Sequence, residues 1–214
     1  MIDIYCERRG PGLWAEPLNA STNLAFIVAA IAAWLLARRR GDRSAGVATL
    51  ISLAIAVGIG SAAFHTFATP WAMVADIVPI LVFQVAFLWL YLREFVSLST
   101  PAAAALTSVY FVVSLSTQTL PPWLNGSITY IPTLAVLAAL AVYHYRTRQR
   151  ERSLLLMALA VFAAAIIFRT VDSVACPHIP FGTHFLWHLL NGLLLYLAMR
   201  TLIVSHVVRL RSNP

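Results

Sequence analysis

Seven long apolar runs divide the chain, at about 18–37, 46–67, 71–92, 101–119, 128–145, 153–171 and 184–205, with polar and arginine-rich breaks between them. Each run approaches the roughly 20 residues that a helix needs to cross the hydrocarbon core of a bilayer. The pattern predicts an all-α integral membrane protein, a bundle of seven transmembrane helices folded as a single domain over 1–214. Pro79 and Pro132 fall inside runs, which a membrane helix tolerates where neighbours satisfy the freed carbonyls. The breaks are too short for a soluble domain, and no internal repeat or low-complexity segment interrupts the pattern. Residues 1–16 lack a basic region followed by an apolar core and a cleavage site, so no removable signal peptide is expected.

Composition agrees with the pattern and adds direction. Of the 214 residues 60% are hydrophobic and only 11% charged, too few to cover a water-soluble surface. All 15 basic residues are arginine, and the net charge of +7 gathers at the ends of runs rather than on one face, which argues against nucleic-acid binding. Arg38, Arg39, Arg40, Arg43, Arg93, Arg146, Arg148, Arg150, Arg152, Arg209 and Arg211 share one side. Arg8 and Arg9 lie in a loop on the other, with Arg169 near a run end. The positive-inside rule then places the N-terminus outside and the C-terminus in the cytoplasm. The absence of lysine excludes a retinal protein, which needs a lysine amine for its Schiff base. The arginine-only, alanine-rich composition points to a bacterial plasma membrane.

The polar residues inside the runs carry the chemistry, because ionisable groups are expensive in a bilayer. Ser61 and His65 sit near the outer end of the second run, Asp76 soon after the start of the third, and His184 and His188 at the start of the seventh. With alternating directions all five share one depth in the outer leaflet. His184 and His188 are four apart, on one helical face and about 6 Å apart along the axis, a spacing that offers two imidazoles to one metal. His65 from a facing helix completes three ligands, and three ligands with a water describe a catalytic zinc site. A single intramembrane histidine is more often only an interhelical hydrogen-bond partner. Ser61, beside Gly58 and Gly60, also fits close helix packing, and Asp76 requires a partner. His144 and His206 read as interfacial at the cytoplasmic ends, and His178 as a solvated loop residue.

Several segments bear a joint resemblance. Tyr5-Cys6-Glu7, Glu16 with Asn19 to Leu24 (NASTNL), Gly60 to His65 (GSAAFH), Asp76 to Pro79 (DIVP), Asp172 to Cys176 (DSVAC) and His184 to His188 (HFLWH) follow in that order over nearly the whole chain. Together they resemble the alkaline ceramidase family, within the wider group of seven-helix hydrolases that includes the adiponectin receptors. The resemblance implies a Zn2+ bound by His65, His184 and His188, with Ser61 and Asp76 as catalytic companions. The implied reaction is hydrolysis of the amide of a membrane lipid, ceramide, to a sphingoid base and a fatty acid. Some family members also bind Ca2+ near the N-terminus. Glu7 and Glu16 match that site, but Ile4 stands in place of an aspartate and Arg9 in place of an asparagine. Two lost oxygen ligands and a nearby cation leave at most a weak calcium site, since calcium takes six or more oxygens. Arg8 or Arg9 is instead placed to pair with a glutamate. The family's cysteine pair implies a disulfide between Cys6 and Cys176, the only two cysteines here.

Two other classes remain open on the residues alone. One is a lipid-binding or receptor-like protein with a structural metal, and the other a metal or haem protein using paired histidines. Intramembrane serine proteolysis fits poorly, because GIGSAAFH around Ser61 is not a Gly-x-Ser-x-Gly elbow.

Overall fold

A computed structural model describes residues 1–212, with side chains through Ser205. It contains eight α-helices, α1 (Pro17–Thr22), α2 (Leu24–Arg40), α3 (Ala45–Phe67), α4 (Pro70–Glu94), α5 (Thr100–Thr117), α6 (Ile131–Arg146), α7 (Leu154–Ala175) and α8 (His184–Ser212), with a 3-10 turn at Ser127–Tyr130 before α6. Seven stretches are long and apolar enough to cross a membrane, α1 and α2 counting as one and the 3-10 turn joining α6. The protein is a multi-pass, seven-helix membrane bundle.

Local chemistry explains where the helices begin. Proline occupies the first turn of α1, α4, α5 and α6, where its missing N–H has no intrahelical partner to lose. Pro132 is one of these, so it opens a helix rather than interrupting one, whereas Pro79 does lie inside α4. The first run, expected as one helix, is interrupted only at Asn23, whose backbone stays right-handed (φ −64°, ψ −15°). Asn23 is buried, and its amide donates to the Asn19 carbonyl at 2.8 Å.

Packing closes the helices into a ring, α2–α3–α4–α5–α6–α7–α8, with α8 lying between α7 and α2 and also touching α3. α8 is the most enclosed span. Two close approaches set α3 in place. A Cβ on Gly58 would come within 3.1 Å of Phe26 and Ile27 on α2, and one on Gly60 would meet the backbone of Ala75 on α4, with the carbonyl carbon at 2.7 Å. Glycine at both positions lets α3 sit tightly between its neighbours, so Ser61 and His65 face the start of α4. Outward faces carry Leu24, Val28, Ile31 and Leu35 on α2 and Leu106, Val109 and Val113 on α5, exposed apolar residues suited to lipid.

His144 departs from expectation. It is fully buried, bonded through Nδ1 to the Tyr91 hydroxyl at 3.0 Å and through Nε2 to the Arg150 carbonyl at 3.3 Å. It ties α6 to α4 and to the following turn instead of lying at an interface, because a ring with two polar partners can be buried without loss. His178 is exposed, and the side chain of His206 lies outside the described residues.

Candidate metal centre and active-site cavity

The end of α3, the start of α4 and the start of α8 meet at one end of the bundle. There the ring nitrogens of His65, His184 and His188 lie within 4.8 Å of one another, and each residue is about 1% exposed. The cluster is thus set to bind a divalent metal.

Each histidine is oriented by a named neighbour. His65 Nδ1 lies 2.5 Å from Glu16 Oε2. Thr22 Oγ1 donates to the Leu18 carbonyl at 2.8 Å and is left to accept from His188 Nδ1, 3.0 Å away. Both contacts place the proton on Nδ1 and leave the Nε2 lone pair toward the cluster, the tautomer that metal-binding histidines adopt. The Tyr5 ring stacks on His184, centroids 3.6 Å apart and planes 15° apart. His188 Nε2 and His184 Nδ1 are buried without any hydrogen-bond partner. Orphaned imidazole nitrogens in an apolar interior are costly, and a shared cation satisfies them. The donor set, three neutral imidazoles, suits zinc.

The N-terminal segment forms the support. Glu16 accepts from Arg8 Nε at 2.5 Å and from Asn19 Nδ2 at 3.1 Å, and Arg8 Nη2 donates onward to the His65 carbonyl at 2.8 Å. Burial opposes ionisation of Glu16, but bonds from His65, Arg8 and Asn19 outweigh it and hold the carboxyl below its ordinary range. Glu7 accepts from the backbone N–H groups of Leu18 and Asn19, both at 2.7 Å, and so caps α1. Burial raises its pKa despite those two bonds. Both glutamates assigned to a weak calcium site are therefore engaged by the protein's own donors, and Arg8 supplies the cation beside Glu16. Arg9 reaches the Pro180 carbonyl instead.

Asp172 is the support that sequence reasoning quoted without assigning a role. Its Oδ1 accepts from the N–H groups of Thr183 (2.7 Å) and His184 (2.9 Å), and its Oδ2 from that of Cys6 (3.0 Å). One buried carboxylate thus fixes the start of α8 and docks the N-terminal segment. Cys6 and Cys176 form a disulfide beside it, with Cα atoms 5.5 Å apart. The signal for Asp172 was its place in DSVAC, one turn before the cysteine. Nothing in the sequence alone marked Thr22 as a partner of His188.

A cavity of about 190 Å³ opens from the cluster, lined by Ser61, Asp76, His184, His188, Arg169 and Tyr130 among others. Asp76 Oδ1 is buried there with no partner, and Ser61 stands near its carboxylate. A second, apolar chamber of about 90 Å³ adjoins it among Phe83, Phe87, Leu137 and Leu195, sharing Ile80, Gln84, Tyr130 and Trp187 with the first as walls.

Fold and site together define a seven-helix membrane protein with a buried three-histidine centre. The ceramidase family model matches residues 6–214, and the chain belongs to that family. It is a hydrolase of the ceramidase family whose metal centre is consistent with a zinc-dependent amidohydrolase acting on a membrane lipid. No curated protein matches the chain.

Proposed function

We propose that the protein hydrolyses the amide of ceramide, or of a closely related N-acyl lipid, with Asp76 as general base and Ser61 as oxyanion donor. The observation that carries this reading is the unpartnered Asp76 carboxylate oxygen, buried in the same cavity as His184, His188 and Ser61. His65, His184 and His188 would hold zinc, which when bound supplies Lewis acidity and makes water acidic near neutral pH. Asp76 accepts a proton from a water molecule as the water oxygen bonds to the amide carbon. Ser61 donates to the carbonyl oxygen as negative charge develops there. Asp76 returns the proton to nitrogen as the C–N bond breaks, leaving a sphingoid amine and a fatty acid. The second chamber, apolar and sharing walls with the cavity, suits the acyl chain.

The arginine distribution supports an orientation with the N-terminus outside, the C-terminus cytoplasmic and the site toward the outer leaflet. Composition supports a bacterial plasma membrane, and we read 1–214 as one domain. Fatty-acid release from a panel of ceramides and other N-acyl lipids tests the reading. Purified zinc-loaded protein should release fatty acid from ceramide, and Asp76→Asn should retain zinc yet lose at least about 100-fold in rate. Bound lipid without release from any member would replace hydrolysis with a binding role.

A further inference from the structure

Arg169 is unused by the chemistry above, yet its guanidinium lines the same cavity as Asp76, His184 and His188. It lies on α7, inside a candidate span, where an uncompensated charge is expensive. Three aromatic rings surround it: Tyr5, Tyr130 and Trp187 have centroids 5.5, 5.5 and 5.4 Å from its central carbon. The in-plane N–H edge is much less occupied. Nη1 donates to the Tyr5 hydroxyl at 2.5 Å, while Nε is buried without a partner. Nη2 lies against Gly126, where a Cβ would come within 3.3 Å of it, so the loop before α6 closes that side at close range. Among the described residues Arg169 enters no ion pair.

A guanidinium recognises planar or tetrahedral oxyanions through this edge, and the surrounding rings restrict its orientation, with Tyr5 taking one of its donors. Arg8, buried where Arg169 is only half-buried, contrasts with it, because a carboxylate and a carbonyl already occupy its edge. A divalent cation on the histidines would add positive charge to a cavity in which Asp76 is the acidic lining residue opposite Arg169. We propose that Arg169 is an anion subsite of the lipid-binding cavity, which takes a carboxylate or phosphate group of the ligand within reach of the metal centre. The lipid amides it favours then bear an anionic group on the amine side, N-acyl amino acids or phosphorylated ceramides, over neutral ceramide. This inference rests on the reading of the cavity as a lipid-amide site and moves the preferred substrate from neutral ceramide to its anionic relatives.

The test uses full-length, zinc-loaded protein in detergent, comparing N-oleoylglycine with its neutral methyl ester and N-oleoyl ceramide phosphate with N-oleoyl ceramide. Competition against a fluorescent lipid gives affinities, and fatty-acid release gives turnover. Wild type should prefer the anionic member of at least one pair, and Arg169→Gln should reduce that preference about tenfold or more, with Arg169→Lys between them. A preference confined to the first pair identifies a carboxylate headgroup, and one confined to the second a phosphate. Oleate against oleyl alcohol adds the remaining source: discrimination there alone would assign the subsite to the released fatty acid and overturn the substrate claim. Equal affinities within every pair in wild type would overturn the subsite altogether, even if Arg169→Gln fails to fold. Affinity without turnover would instead sink the hydrolytic reading while leaving the anion subsite standing.

Discussion

The Glu16 carboxylate meets the His65 imidazole at 2.5 Å, joining the residue just before the first span to the end of α3. This contact makes the N-terminal segment part of the metal centre, since Glu16 also holds Arg8 and Asn19. Replacing Glu16 by Gln removes the charge and loosens the His65 ring. Zinc affinity should fall about 10–100-fold, measured by competition with a chromogenic chelator. An unchanged affinity would show that the contact is structural only.

Asp172 accepts three backbone N–H groups, two of them at the start of α8. Asp172→Ala strands those donors in a buried site, so stability should fall by about 1–3 kcal/mol or more. Thermal unfolding in detergent measures this, and zinc binding should weaken in parallel because His184 is the first residue of α8.

Gly60 faces the Ala75 backbone at a separation that leaves no room for a methyl group. Gly60→Ala should push α3 from α4 at a cost of about 1–3 kcal/mol and reduce turnover, by moving Ser61 and His65 relative to Asp76. The same substitution at Gly41, which has open space but a left-handed φ of 72°, should lower stability without touching turnover.

At the opposite end of the bundle Glu151, in the turn before α7, accepts two bonds from Arg200 of α8 at 2.7 and 2.9 Å. The Arg200 hydrogen bonds hold the Glu151 carboxyl below its ordinary range. A depressed folded-state pKa contributes stability that is present above the unfolded value, about 4.3, and is lost as pH falls through the folded one. Glu151→Gln should therefore lower stability by about 0.2–1 kcal/mol at neutral pH, with the difference from wild type closing below about pH 4. A difference that persists at low pH would mean that charge is not its cause.

Much of this was legible in the sequence because membrane spans and intramembrane polar residues stand out against an apolar background. The seven spans, and the three histidines at one depth, follow from hydropathy and four-residue spacing. What was hidden depends on loops meeting across the fold. The pairing of an arginine with Glu16 was expected from the sequence, whereas the capping of the α1 backbone by Glu7 was not. His144 looked interfacial because it lies near a span end, and only packing reveals the Tyr91 hydroxyl beside it. Thr22 meets His188 across 166 residues of sequence, which no local periodicity could announce.

The most direct test of the metal centre is zinc content measured by mass spectrometry on purified protein, together with fatty-acid release from ceramide before and after chelation. About one zinc per chain, lost together with turnover on chelation, restored with it on zinc addition, and absent in His188→Ala, is the expected result. Full turnover in metal-free protein, or an undiminished zinc content in His188→Ala, would contradict it.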